Sequence, residues 1–390
     1  MNHPTMTTTP PVNDSNSAVT SAPNGSSTRP ASVDRAGRRE PGVLPLPAGF
    51  VDEPALEDFL ATPSAGLVAD MAELEGDLVV LGAGGKMGPS LCRLARRALD
   101  AAGRTDAAVH AVSRWSDPAA ARSLDDDGVH TVAFDLMDPD TGLGALPDAA
   151  NVVFMVGAKF GSAAAPSHAW AVNAAMPDRV ARRWPEARIA ALSTGNVYPL
   201  VPLGSGGCDE EHPVGPVGEY AMSCLGRERV LAHAALTRGT RVSLVRLNYA
   251  IDLRYGVLAD VASRVLAAEP VDVTTGSVNV VWQGYANQVT LRTLLHASAG
   301  SPFTVNLTGP ETVSVRRLAQ WFAEEFGTPA VCDGTEAGTA LLSDASRAHA
   351  LFGYPDVPLR TLVAWQADWL RRGLPLSGKP TKFQVRDGRF

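Results

Sequence analysis

The apolar positions of this chain change period repeatedly, and the changes mark out its elements. Leu78-Val79-Val80-Leu81 is an aliphatic run without polar alternation, the pattern of a strand buried on both faces. Directly beyond it, Leu91, Leu94, Ala95 and Leu99 recur at helical intervals. Short apolar runs follow at Ala107 to Val112, Val129 to Phe134, Asn151 to Val156, Arg188 to Leu192 and Val242 to Leu247. Helical stretches separate several of them, notably Trp170 to Trp184 and Gly218 to Leu236. Strands alternating with helices predict right-handed βαβ units, hence an α/β fold with a doubly wound parallel sheet over residues 76–247. Val271 to Trp282, Phe303 to Leu307 and a closing run of helices predict a smaller mixed C-terminal lobe over 248–375, partly interleaved, then a tail over 376–390. Residues 1–45, rich in Thr, Ser, Pro and Asn, have almost nothing to bury and read as a disordered tail. Residues 46–75 read as a helical lead-in, two helices broken at Pro63.

Between the first strand and the first sheet helix stands Gly82-Ala83-Gly84-Gly85-Lys86-Met87-Gly88. A strand entering a glycine turn and then a helix aims backbone N–H groups and a positive helix end at a pyrophosphate. Gly82 allows the tight turn, Gly85 lets phosphates approach the backbone, and Gly88 lets helix pack on strand. Gly82, Gly85, Lys86, Met87 and Gly88 are therefore the candidate cradle of a dinucleotide in a Rossmann-like sheet. In such a sheet the ligand lies beyond the carboxyl ends of the strands, where Ser113, Asp135, Gly157 and Thr194 also fall.

Composition narrows the partners. A net charge of −7 gives no overall attraction for nucleic acid or an anionic membrane. No apolar run approaches the ~20 residues needed to span a bilayer, and Met1 to Thr9 lack the apolar core of a secretory signal. Cys92, Cys208, Cys224 and Cys332 form no C-x-x-C pair, which predicts reduced thiols in a cytoplasmic protein with neither a zinc site nor a disulfide framework.

Several further motifs belong together: Phe134-Asp135-Leu136-Met137-Asp138, Phe154-Met155-Val156-Gly157-Ala158, Asn173, Ser193-Thr194-Gly195-Asn196-Val197-Tyr198, Pro216-Val217-Gly218-Glu219-Tyr220-Ala221-Met222-Ser223 and Val305-Asn306-Leu307-Thr308-Gly309-Pro310. With the glycine run they make residues 76–375 resemble the extended short-chain dehydrogenase/reductases, the NAD-dependent epimerase/dehydratase family. The resemblance implies that Asp135 contacts adenine with Leu136 beside it, and that Gly157 and Ala158 lie along the cofactor ribose. It implies that Thr194 hydrogen-bonds the reacting oxygen and that Tyr220 exchanges a proton with it. Asn248, in Arg246-Leu247-Asn248-Tyr249-Ala250, and Asn196 are the corresponding candidates for polar substrate groups. Arg254 is a candidate for a phosphate or carboxylate, with an ion pair as its alternative use. A homodimer through the helices of Trp170 to Trp184 and Gly218 to Leu236 is expected by the same analogy.

Two departures qualify the resemblance. The second strand ends Val112-Ser113-Arg114 without the carboxylate that would accept from a ribose 2′-OH. Arg114 suits a 2′-phosphate, so NADP is favoured over NAD. The family's reaction also needs Tyr-x-x-x-Lys, and the fourth residue after Tyr220 is Cys224. A free tyrosine titrates near ~10 and needs a neighbouring positive charge to act as a base at neutral pH. Lys159, just after Gly157-Ala158, is the candidate replacement; Arg227 and Arg229 are expected to point away from the face of Tyr220 and to serve as solvated or structural residues. The expected function is an NAD(P)-dependent epimerase, dehydratase or reductase acting on a hydroxyl or carbonyl of a sugar-like molecule. The alternative is a non-catalytic NAD(P)-binding sensor or scaffold.

Overall fold

Seven strands build one parallel sheet: β1 Leu78–Leu81, β2 Val109–Ser113, β3 His130–Ala133, β4 Asn151–Phe154, β5 Arg188–Thr194, β6 Arg241–Leu247 and β7 Phe303–Leu307. Their order is β7-β6-β5-β4-β1-β2-β3, and every pairing is parallel. The winding reverses at β1, which lies between β4 and β2, so the crevice beyond its carboxyl end is the switch point where ligands bind such sheets. The computed structural model describes residues 46–390 apart from Pro139 and Pro380. The expected tail over residues 1–45 lies outside the described residues.

All four residues of β1 are buried, as its unbroken apolar run requires. On one face, Leu91, Leu94, Ala95 and Leu99 of helix Gly88–Ala101 pack on β1 and β2 together with Leu67 and Met71 of helix Ala65–Glu73. On the other face, Met176 and Val180 join Leu231 and Ala235 over β4 and β5. Helices Glu53–Leu60 and Ala65–Glu73 flank Pro63, with Asp52 and Ser64 capping their first turns.

The sheet runs further than the sequence suggested. Phe303–Leu307, expected in the mixed lobe, extends it beyond residue 247 by pairing with β6 from Phe303↔Ser243 to Leu307↔Leu247. Val305 and Leu307 are fully buried there. By their contacts Pro47–Phe390 form one unit. Val271 to Trp282, placed in the mixed lobe by the sequence, holds three short strands, Val271–Asp272, Ser277–Val278 and Val281–Trp282, each with a different partner. The cause is local: Asp272 Oδ1 accepts from the Thr274 amide and hydroxyl and turns the chain. Trp170 to Trp184 is helical, with a π-turn over Ala171–Ala175 that sets Asn173 facing inward, fully buried. Among the described residues no helix is long and apolar enough to cross a membrane.

Candidate active site

The glycine turn has the geometry its spacing implies. Gly82 has φ +90, and a Cβ on it would stand 3.1 Å from the Val156 amide nitrogen. A Cβ on Gly88 would lie 2.1 Å from the Ala83 carbonyl oxygen, so helix Gly88–Ala101 starts flush against the turn. Met87 at its N-terminus offers no side-chain cap, which leaves the helix end open toward the crevice. A diphosphate fits this chemistry: a cradle that side chains would fill, and an uncapped positive helix end. Gly84 belongs to the cradle too, because its Cβ would stand 2.5 Å from Ser113 Oγ.

The other candidates stand just past the carboxyl ends of β2, β3 and β4. Arg114 is exposed just past β2, and among the described residues it makes no ion pair. Asp135 is exposed, with Oδ1 accepting from the Met137 amide at 2.9 Å, and Leu136 beside it is buried. Gly157 and Ala158 are held by Asn173, whose Oδ1 accepts from the Ala158 amide at 2.9 Å and whose Nδ2 donates to the Ala158 carbonyl at 3.0 Å. The same Nδ2 donates to Ser223 Oγ at 2.9 Å, which ties this loop to helix Gly218–Arg238 one turn from Tyr220.

A cavity of about 330 Å³ joins the two halves. Gly82, Lys86, Lys159, Thr194, Tyr220 and Thr381 are among its walls. Thr194 ends β5 buried, its Oγ1 accepting from the Asn196 amide at 3.2 Å and Nδ2 at 3.0 Å. Tyr220 stands on the helix opposite. Burial pushes its phenol well above the ordinary tyrosine value, and the Cys224 thiol pushes it further; the Thr194 hydroxyl and the Arg227 charge pull it back. Burial likewise raises the Cys224 thiol, against the pull of Arg227. A buried neutral thiol therefore stands where the resemblance places a lysine.

Lys159 does reach this side of the cavity, with Nζ 5.7 Å from the centre of the Tyr220 ring. Burial lowers its amine to about 8, with Cys224 acting in the opposite direction and Lys86 and Lys382 adding to the fall. Its hold on charge is thus weak just above neutral pH.

Arg227 is structural, one of the two expected uses, but it is buried, only 4 % exposed, and its charge acts on Tyr220 instead of pointing away from it. Its guanidinium donates to the Val156 carbonyl at 2.7 Å, to the Leu192 carbonyl, and to Asn173 through both the main-chain oxygen at 3.2 Å and Oδ1 at 3.1 Å. It thereby fastens the ends of β4 and β5 to the π-turn beneath Gly157. The signal was legible: seven residues make almost two helical turns, so residues 220 and 227 share a face.

The substrate candidates divide. Asn196 lines the cavity. Asn248 also borders it but is buried, with Nδ2 donating to Asn279 Oδ1 at 2.7 Å, and it backs Gly195. Arg254 is not in the cavity. Its guanidinium is committed to Asp252, to Glu53 at 2.8 Å and to Glu57 at 2.5 Å, so the ion-pair alternative is the one the fold uses.

Beneath the floor lies a buried polar network. Arg246 on β6 grips both carboxylate oxygens of Glu228 through Nε at 3.0 Å and Nη2 at 2.8 Å, and its Nη1 donates to the Tyr198 hydroxyl at 2.7 Å. Glu228 also accepts from Ser193 Oγ at 2.6 Å, and Tyr198 donates to Asn306 Oδ1 at 2.8 Å. The network locks β5, β6, β7 and the helix of Tyr220 into one register.

A sequence profile described as the NAD dependent epimerase/dehydratase family matches residues 78–278, just over half of the chain. The chain belongs to this family. Among solved structures it is similar to MoeE5 in complex with UDP-glucuronic acid and NAD, at 21% identity and TM-score 0.61, covering 77% of this chain and 100% of that one. It is also similar to the UDP-glucuronic acid 4-epimerase of Bacillus cereus, at 17% identity and TM-score 0.63, with 76% and 99% covered. The UDP-glucose 4-epimerase of Thermus thermophilus matches at 20% identity and TM-score 0.61, over 76% and 99%. No curated protein sequence matches the chain. At these identities the structural likenesses speak for the fold, and the cited residues carry the chemistry.

Proposed function

We propose that this family member binds NAD or NADP along the crevice from Gly82 to Gly157 and acts on a hydroxyl or carbonyl of a sugar-like substrate, with nucleotide sugars the leading class. The observation that carries the reading is the single cavity shared by the glycine cradle, Thr194 and Tyr220. The glycine turn and the open helix end would hold the diphosphate, and Asp135, Leu136, Gly157 and Ala158 would flank the nucleosides. When bound, the dinucleotide supplies hydride exchange at the nicotinamide ring. Thr194 orients the substrate oxygen, and Tyr220 Oη gives or takes its proton. Arg227 keeps a fixed positive charge on the side where Cys224 stands, and Lys159 adds a second, weaker one. Arg114 favours NADP, since it can pair with a 2′-phosphate. The similar structures were solved with NAD and UDP-sugars, which supports the nucleotide-sugar class.

The remaining proposals are coarser. The four cysteines are all free thiols, in keeping with a cytoplasmic setting. Self-association through the Tyr220 helix has support in Trp170 and Met222, both exposed on this side, the Trp170 ring lying against Gly226.

The test is to supply NAD or NADP with UDP-glucose or UDP-glucuronic acid and follow nicotinamide absorbance and sugar epimers. Tyr220→Phe should lower turnover by about 100-fold or more while cofactor affinity holds. Cofactor binding without turnover on any sugar nucleotide or aldose would favour the sensor reading, for which the raised phenol and the thiol at position 224 are the supporting observations.

A further inference from the structure

The outer wall of the cavity is not made by the sheet. Thr381 stands in that wall, and residues 382–390 continue from it to the Tyr220 ring, fastened at separate points. The Thr381 amide and hydroxyl donate to Asp260 Oδ2 at 2.8 and 2.6 Å. The Tyr249 hydroxyl donates to the Phe383 carbonyl and the Thr275 hydroxyl to the Gln384 carbonyl, each at 3.4 Å. Arg386 donates twice to Thr339, at 2.7 Å, and the Gly161 amide donates to the Phe390 carbonyl at 3.1 Å. Phe383 and Phe390 are buried, at 7 and 8 % exposure. Gly388, at φ +73, lies back to back with Gly218: a Cβ on it would stand 2.3 Å from the Val217 carbonyl oxygen. The segment is therefore seated in a shaped groove.

What it covers is the chemistry of the site. The Phe390 ring meets the Tyr220 ring edge-on, with centres 5.6 Å apart. Lys159 Nζ sits 4.2 Å from the centre of the Phe390 ring and donates to the Thr381 carbonyl at 3.5 Å. Just upstream, the Lys379 carbonyl accepts from Lys86 Nζ at 3.2 Å. Lys159 thus donates to a main-chain carbonyl of the closing segment and Lys86 to one just before it, although a phosphate or sugar oxygen would suit them better. With the segment in place the cavity keeps about 330 Å³, the small end of the range for one ligand.

We infer that residues 381–390 are a resident strap that closes the cleft between the glycine turn and Tyr220, and that a bound dinucleotide displaces it. The inference rests on the dinucleotide reading of the previous section and adds its regulation. A strap that is down most of the time lowers apparent affinity by the fraction of open molecules, so releasing it tightens binding without any new contact.

The releasing substitutions lie outside the glycine cradle: Gly388→Val, which drives a side chain into the Val217 carbonyl at the start of the Tyr220 helix, and Arg386→Met, which removes the bonds to Thr339. The readouts are affinity for NADH and NADPH, by fluorescence titration, and hydrogen exchange at the Gly161 and Thr381 amides. The full-length double variant should bind reduced dinucleotide about tenfold more tightly than the native chain, with faster exchange at both amides. NADPH added to the native chain should speed exchange at the same amides. Equal or weaker binding by the double variant, or exchange unchanged by either route, overturns the strap. If both chains bind equally, the strap alone fails; if neither binds at millimolar concentration, the dinucleotide reading fails and the strap with it.

Discussion

Cys224 poses the sharpest question at the scale of single residues. Tyr220 has Arg227 and Lys159 as its cationic neighbours, and neither is the lysine one turn along its own helix. Cys224→Lys would put an ammonium beside the phenol in place of a thiol that raises it. Each unit by which the phenol falls is worth about 1.4 kcal/mol, or tenfold in the ionised fraction. Turnover at neutral pH is expected to rise about tenfold or more, measured as kcat; an unchanged kcat would mean that Arg227 and Lys159 already supply the charge. Lys159 makes a second prediction through linkage. Its folded-state value is lowered from 10.5 to about 8, so between those values the unfolded chain binds more protons and this residue makes stability rise with pH. The cost of burying its charge is fully present below pH 8 and gone above about 10.5. Urea denaturation at pH 8 and pH 10 should show a smaller rise, or a steeper fall, for Lys159→Met than for the native chain. Equal slopes would place the amine in water.

At the scale of elements, the helix Gly218–Arg238 carries Tyr220, Cys224, Arg227 and Glu228, and its seat is fixed by the polar network under the floor. Breaking a buried ion pair by removing one charge costs about 3–5 kcal/mol, because the partner stays buried and unpaired. Glu228→Gln leaves the Arg246 guanidinium in that position, so a loss of this order is expected in chemical denaturation. A loss below about 1 kcal/mol would contradict the network. Tyr220 became a candidate through the family resemblance, and helix spacing then put Cys224 on its face. The direction of Arg227 was misread for a physical reason: a buried guanidinium is expensive unless main-chain carbonyls receive it, and the carbonyls that do so come from β5, the residue Val156 just past β4, and the π-turn, remote in sequence. Arg254 was a fair candidate by charge alone, but its partners Glu53 and Glu57 are supplied by the lead-in helix, about two hundred residues away.

For the whole molecule, the sheet was readable because parallel strands covered on both faces must be continuous apolar runs, as β1, β4 and β5 are. The glycine cradle was readable because only glycine tolerates its φ and its contacts. Phe303–Leu307 was seen as a strand but assigned to the wrong layer, since its partner β6 lies more than fifty residues upstream. The C-terminal segment was read only as part of a tail over 376–390: residues 381–390 carry no period, and their fastenings reach Asp260, Tyr249, Thr275 and Thr339, all remote in sequence. The central claim is that the crevice at the winding reversal holds a pyridine dinucleotide. Calorimetric titration with NADPH and NADH tests it most directly, using the native chain, the strap-releasing Gly388→Val/Arg386→Met chain, Arg114→Ala and Gly82→Val. Uptake of both nucleotides is predicted, with NADPH the tighter, the NADPH advantage lost in Arg114→Ala, and both lost in Gly82→Val. Absence of uptake at millimolar concentration by both the native and the strap-released chains, or undiminished uptake by Gly82→Val, would contradict it.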